Sequence, residues 1–180
     1  MKIERLTIPD VMLITPKVFE DSRGFFMETW NYREYSNNGL DQMFLQDNHS
    51  KSKFGTLRGL HYQIKNTQSK LVRVTLGTIF DVAVDLRKSS PFFGKWTSSM
   101  LSSDNSQQLW IPAGFAHGFL VLSESAEIQY KCTDYYDPTA ERCIAWNDPD
   151  LAIEWPLSQP PLLSEKDKNG GLFREAEVFE

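Results

Sequence analysis

Period-two alternation of apolar and polar side chains, restarted after each cluster of Gly, Pro, Asn, Asp or Ser, runs through most of the 180 residues and restricts the chain to short strands. In "KLVRVTLGTIFDVAVDLR", Lys70 to Arg87, the residues Val72, Val74 and Leu76 share one face. Gly77-Thr78 then reads as a turn, and Phe80, Val82, Val84 and Leu86 alternate with Asp81, Ala83 and Asp85, the pattern of a hairpin. "QQLWIPAGFAHGFLVLS", Gln107 to Ser123, reads as strand, Pro-Ala-Gly turn and strand, and "AEIQYKCTDYY", Ala126 to Tyr136, as a third strand. Helical signals are confined to "NYREYSNNG", Asn31 to Gly39, closed by Asn-Gly, and to a turn or two after Leu162. Many short strands divided by turn residues predict an all-β sandwich or barrel, whose interior can hold a ligand while closure protects the strand edges. The expectation is one jelly-roll domain over residues 1–180 with short terminal helices.

Composition removes several function classes. A hydrophobic fraction of 41% with 13% aromatics excludes a disordered chain. No apolar run approaches the roughly 20 residues that cross a bilayer, and "MKIERLTIPD" lacks a signal-peptide core, so neither membrane nor export is expected. Two cysteines, Cys132 and Cys143, are too few for a disulfide framework, which fits a reducing cytoplasm. The net charge of −5 comes without a Lys/Arg cluster, which argues against nucleic acid as a partner. An anionic ligand must therefore be held by individually placed cations.

Alternation marks a few residues for chemistry. Lys70 shares the face of Val72 and Val74, so it either meets an anion inside the barrel or, at a strand end, turns its ammonium back to solvent. Tyr130 shares a face with Ile128 and Cys132; a core tyrosine bonded to backbone is the plain alternative to an acid–base role. In "LRGLHYQ", His61 falls on the face of Leu57 and Gly59, and Arg58 falls on the other unless Gly59 carries a bulge. A glycine, an arginine and an inward lysine near one histidine favour a site over a structural histidine. The three histidines, His49, His61 and His117, form no local metal-ligand pair, the cysteines have no flanking base, and no nucleotide-binding glycine loop or Gly-x-Ser-x-Gly elbow occurs. What remains is acid–base chemistry on an anionic ligand.

Nine segments in order, "FEDSRGFFMETW", "QDNHS", "LRGLHYQ", "KLVRV", "FDVAVDLRKSSPFFGKW", "LWIPAGFAHGFLVLS", "YKCTDYYDP", "IEWP" and "LLSEKDK", make the chain similar to the dTDP-4-dehydrorhamnose 3,5-epimerase family. The resemblance implies a cupin-type jelly roll, a homodimer, no metal and no redox cofactor. It implies as substrate dTDP-4-dehydro-6-deoxy-D-glucose, inverted at C3 and C5 on the route to dTDP-L-rhamnose. By resemblance His61 is the general base, Tyr130 the general acid and Lys70 the stabiliser of the enolate. Asp167 is the carboxylate expected to orient His61, with inward-facing Asp81 as the alternative. The same resemblance assigns substrate contacts to Arg23, Glu28, Gln46, Asp47, Asn48, Arg58, Lys70, His117, Tyr136, Glu141 and Lys166, with Arg58 on diphosphate and Tyr136 on the thymine ring. Arg23 and Glu28 would serve the neighbouring subunit's pocket. Competing readings are a single-centre epimerase or ketoisomerase of another dTDP-deoxysugar pathway, a non-catalytic sugar-nucleotide-binding jelly roll, and a metal-dependent cupin oxygenase.

Overall fold

The computed structural model describes residues 1–180. It is an all-β protein with two short helices, and no helix is long and apolar enough to cross a membrane. In chain order the strands are β1 (Lys2–Arg5), β2 (Met12–Thr15), β3 (Val18–Asp21), β4 (Gly24–Met27), β5 (Gln46–Lys53), β6 (Leu57–Gln63), β7 (Lys70–Leu76), β8 (Thr78–Asp85), β9 (Trp96–Ser102), β10 (Gln108–Ile111), β11 (Phe115–Val121), β12 (Ser125–Cys132) and β13 (Glu141–Cys143). Helix α1 (Tyr32–Ser36) is capped by Asn31, and α2 (Glu165–Lys168) by Ser164. Both caps present a side-chain oxygen to an amide that the first turn leaves free.

A six-stranded antiparallel sheet in the order β1-β2-β10-β7-β12-β5 faces a five-stranded one in the order β13-β6-β11-β8-β9; β3 and β4 form a separate hairpin. Val72, Val74, Leu109 and Ile128 of the first sheet pack on Ile79, Ala83, Phe119 and Val121 of the second. The outer face of the five-stranded sheet is covered by Ile144, Leu151, Trp155 and the C-terminal segment. Tyr35 and Leu40 cover Leu71 and Trp110 on the other outer face.

The hairpin expected over residues 70–87 does not form: β7 and β8 lie in different sheets. Gly77, at φ +80°, carries the chain across the gap where a Cβ would meet the Ser125 carbonyl at 2.1 Å. Alternation is the same whether successive strands pair at their edges or stack face to face, so the pattern could not separate the two. Leu76 also leaves the core, 45% exposed, where the β12–β7 register shifts.

The bulge at Gly59 is present. Arg58 pairs with Phe119 and His61 with His117, so three steps on β6 match two on β11. Leu57 and Leu60 stay on the outer face, while Arg58 and His61 both turn inward. Gly59 sits at φ +131°, and a Cβ there would lie 2.5 Å from Gly118 Cα; one on Gly118 would lie 2.9 Å from the Arg58 carbonyl. Backbone meets backbone, and only a pair of glycines fits.

Gly59→Ala is therefore expected to lower unfolding free energy by at least about 2 kcal/mol in urea titration, since left-handed strain adds to a clash with backbone. Gly39→Ala, at φ +86° with nothing within 4 Å of its built Cβ, should cost only the left-handed penalty of roughly 1 kcal/mol. Equal losses would remove the close contact from the explanation.

Candidate active site

A cavity of about 370 Å³ opens between the sheets beside the apolar core, with which it shares Phe119 and Ile128. One wall carries Gln46, Asn48 and Ser50 of β5, Lys70 of β7, and Ile128 and Tyr130 of β12. The ladder aligns them: Tyr130 lies opposite Asn48 and Val72, and Cys132 opposite Gln46 and Lys70. The facing wall carries Arg58, His61 and Gln63 of β6, His117 and Phe119 of β11, and Glu141 of β13. Tyr136 and Lys166 also line the cavity. His61 and Tyr130 thus come from opposing sheets.

His61 donates from Nε2 to Asp167 Oδ1 at 2.6 Å, leaving Nδ1 as the lone-pair nitrogen of the neutral ring. The Gly59 amide donates to the same oxygen at 3.2 Å, and the Ser164 hydroxyl to Oδ2 at 2.6 Å. Burial pushes the Asp167 carboxyl up, but these three donors outweigh it and hold it at about 2. Asp81, the alternative partner, is committed elsewhere: His117 Nε2 donates to its two oxygens at 2.9 and 3.0 Å. The two histidines face each other across β6 and β11, each with its own buried aspartate. This second His–Asp pair was invisible in sequence because 36 residues separate its members.

Lys70 forms no ion pair. Burial lowers its ammonium pKa, against the opposing influence of Cys132, Asp81 and Glu141. Burial raises the Tyr130 phenol, which stays protonated. Arg58 is anchored by Nε to Ser52 Oγ at 3.1 Å. Glu141 accepts from Lys166 at 2.8 Å and from the Tyr136 hydroxyl at 3.0 Å; burial favours its neutral form, but these donors and His61 keep it below the usual carboxylate range. Gln46 accepts from the Tyr136 amide at 2.9 Å and donates to Asn48 at 2.9 Å. Cys143, across the ladder from His61, is a neutral thiol pushed up to about 11 by burial and then by Asp167.

Three residues named from sequence lie off the cavity. Asp47 points to the outer sheet face, where Lys131 binds it at 2.9 Å, because alternation sends Gln46 and Asn48 inward and the residue between them out. Arg23 bonds Asp21 at the tip of the β3–β4 hairpin, and Glu28 accepts from Asn31 at 3.2 Å. His49 also faces outward, to Glu127 at 3.1 Å. The sequence reading missed Ser50, Gln63, Thr67 and Gln68, which line the cavity. Ser50 Oγ is the one buried side-chain oxygen or nitrogen without a hydrogen-bond partner. The period-two run 46, 48, 50 was the available signal.

The sequence profile of the dTDP-4-dehydrorhamnose 3,5-epimerase family matches residues 5–175. A dTDP-4-dehydrorhamnose 3,5-epimerase from Pseudomonas aeruginosa is 59% identical over 180 residues, 99% of both chains. A crystal structure of a dTDP-6-deoxy-D-glucose-3,5-epimerase from Legionella pneumophila, in complex with dTDP-4-keto-L-rhamnose, superposes with a TM-score of 0.96 at 48% identity, covering 98% of this chain and 94% of that one. A 3′-monoepimerase from Streptomyces bikiniensis, in complex with dTDP-quinovose, is more distant: TM-score 0.88 at 31% identity, covering 94% and 86%.

Asp167 yields a sign for acid stability. Its folded value of about 2 lies below the ordinary 3.8, so its contribution is complete above the unfolded value and is lost as pH falls through about 2. At roughly 1.4 kcal/mol per unit the loss is about 2 kcal/mol. Denaturant titrations between pH 5 and pH 2 should show the stability gap between wild type and Asp167→Asn shrinking by that amount; a constant gap would refute the low carboxyl value.

Proposed function

This chain belongs to the dTDP-4-dehydrorhamnose 3,5-epimerase family, and on that premise we propose that it is an isomerase converting dTDP-4-dehydro-6-deoxy-D-glucose to dTDP-4-dehydro-L-rhamnose in dTDP-L-rhamnose biosynthesis, without a cofactor. The observation that carries the reading is a base and an acid on facing sheets of one cavity. His61 is oriented by Asp167 on one wall, and Tyr130 stands on the other beside Lys70. Inversion of a carbon requires removing a proton from one face and returning one to the opposite face.

His61 takes the proton from the carbon next to the C4 ketone, and the bonding pair moves onto O4 to give an enolate. Lys70 donates to that oxygen. Its ammonium, made more acidic by burial, binds the developing charge more tightly than the neutral ketone. Tyr130, kept protonated by burial, delivers its proton to the other face. Exchange with solvent resets both groups, and a second round inverts the second centre. Asp167 stabilises the imidazolium in between without itself taking the proton. Arg58 and His117 suit diphosphate, and Gln46, Asn48, Glu141, Lys166 and the half-exposed Tyr136 the remainder of the nucleotide sugar.

The fold is read as a cupin-type jelly roll acting as one domain over 1–180, in keeping with the chain's repeated crossing between its sheets. A homodimer accounts for the β3–β4 hairpin. Phe19, Phe25 and Phe26 are at least half exposed there, and Arg23 and Glu28 sit nearby, away from the cavity that holds His61. Asp47, paired with Lys131 on the outer face of the six-stranded sheet, is likewise off the cavity. The two free cysteines suit a cytoplasmic location.

In heavy water with the dTDP-4-keto sugar, deuterium should enter at both C3 and C5, and a rhamnose-forming reductase with NADPH should consume the product. Label at one carbon alone would make the chain a single-centre epimerase. His61→Ala should reduce exchange at both positions by at least about 10²-fold, the usual worth of a positioned base; near-normal exchange would remove histidine from that role. Tyr130→Phe should impair epimerisation more than exchange. Arg58→Ala should raise KM more than it lowers kcat, and an unchanged KM would place the diphosphate elsewhere.

A further inference from the structure

Cys143 stands at the edge of the site with no part in the reaction. It pairs with His61 across β13 and β6, and its Sγ, the His61 nitrogen and an Asp167 oxygen all lie within 4.8 Å of one another. The three come from separate segments, β6, β13 and α2. The thiol's own contacts are weak, to the Ile144 and Gly59 carbonyls at 3.7 and 3.9 Å. Imidazole, thiolate and carboxylate together suit Zn²⁺ or Co²⁺ and do not suit Mg²⁺ or Ca²⁺, which take oxygen ligands. Tetrahedral bonds of about 2.0–2.3 Å separate donor atoms by roughly 3.3–3.8 Å. His61 and Asp167 would open slightly from 2.6 Å as the thiol closes in.

Asp167 keeps its bonds from Gly59 and Ser164 in that arrangement, a ready supporting shell for a ligand carboxylate. A surface depression bordered by Glu141, Glu165, Arg142 and Lys166 reaches Cys143. Two carboxylates balance two cations along it, so a divalent ion meets no net repulsion.

We propose that His61, Cys143 and Asp167 form an inhibitory site for a thiophilic divalent cation of the Zn²⁺ class. The cation bonds His61 Nε2, Cys143 Sγ and an Asp167 oxygen, with water as the fourth ligand. The thiol proton leaves to solvent, the ring proton passes from Nε2 to Nδ1, and nothing is oxidised or reduced. The neutral ring then carries its proton on Nδ1 and has no lone pair with which to act as a base. The inhibition rests on the base role proposed for His61; the binding does not.

Titration of the whole protein with Co²⁺ reads binding without turnover. Wild type should give a thiolate-to-cobalt charge-transfer band and tetrahedral d–d bands at one ion per chain. Cys143→Ser and Cys143→Ala should lose the charge-transfer band and weaken Zn²⁺ binding by at least about 100-fold. Zn²⁺ at saturating occupancy should stop C3 and C5 exchange in wild type while both variants go on exchanging. Absence of the band, or its persistence in both variants, would overturn the site. Cys143-dependent binding with exchange intact would overturn the inhibition and, with it, His61 as the base, while the cation site itself would stand.

Discussion

The Asp167 carboxylate ties the C-terminal helical turn to β6 of the five-stranded sheet, and the site is organised around it. It is 3% exposed, yet it receives donors from an imidazole, a backbone amide and a hydroxyl, so its charge is solvated by the protein in place of water. The amide belongs to Gly59, the residue that makes the bulge, presses on Gly118 and turns both Arg58 and His61 inward. Bulge, orienting bond and base therefore share a single contact region, which helps place the base accurately.

A cavity for an anion is easily over-charged. Here Arg58, Lys70 and Lys166 share the space with Asp81 and Asp167 behind the histidines and Glu141 of β13. Four of these six charges are in ion pairs; Arg58 bonds only a hydroxyl and a backbone carbonyl, and Lys70 has no side-chain partner. An unpaired ammonium in a partly dry cavity is where a developing negative charge gains most. The two His–Asp pairs differ in surroundings. The one on His61 is bordered by a thiol, which gives it the donor set of a zinc site; the one on His117 has its histidine packed against Phe119.

Alternation put Lys70 and Tyr130 on the faces of Val72 and Ile128, which the structure turns inward; Asp81 alternates with the apolar row Phe80, Val82, Val84 and Leu86, and its face becomes the inner one because Ile144, Leu151 and Trp155 cover that row from outside. Alternation also contained Gln46, Asn48 and Ser50 as one row, although the resemblance steered the reading to the contiguous Gln46–Asp47–Asn48 and so included a residue that the pleat turns outward. Gln63, Thr67 and Gln68 carry no signal of their own in sequence. They reach the cavity because of where the chain leaves β6.

The sequence by itself determined that strands form, where they break, which side chains share a face, and that Gly59 could reverse the fate of Arg58, since these follow from local sterics and periodicity. Only the tertiary structure decided that β7 and β8 part into different sheets, that Asp167 and not Asp81 meets His61, and that Cys143 lies beside both. Those pairings join residues up to 106 positions apart. They are settled by which sheet each strand enters, a competition among packed faces that no local pattern encodes.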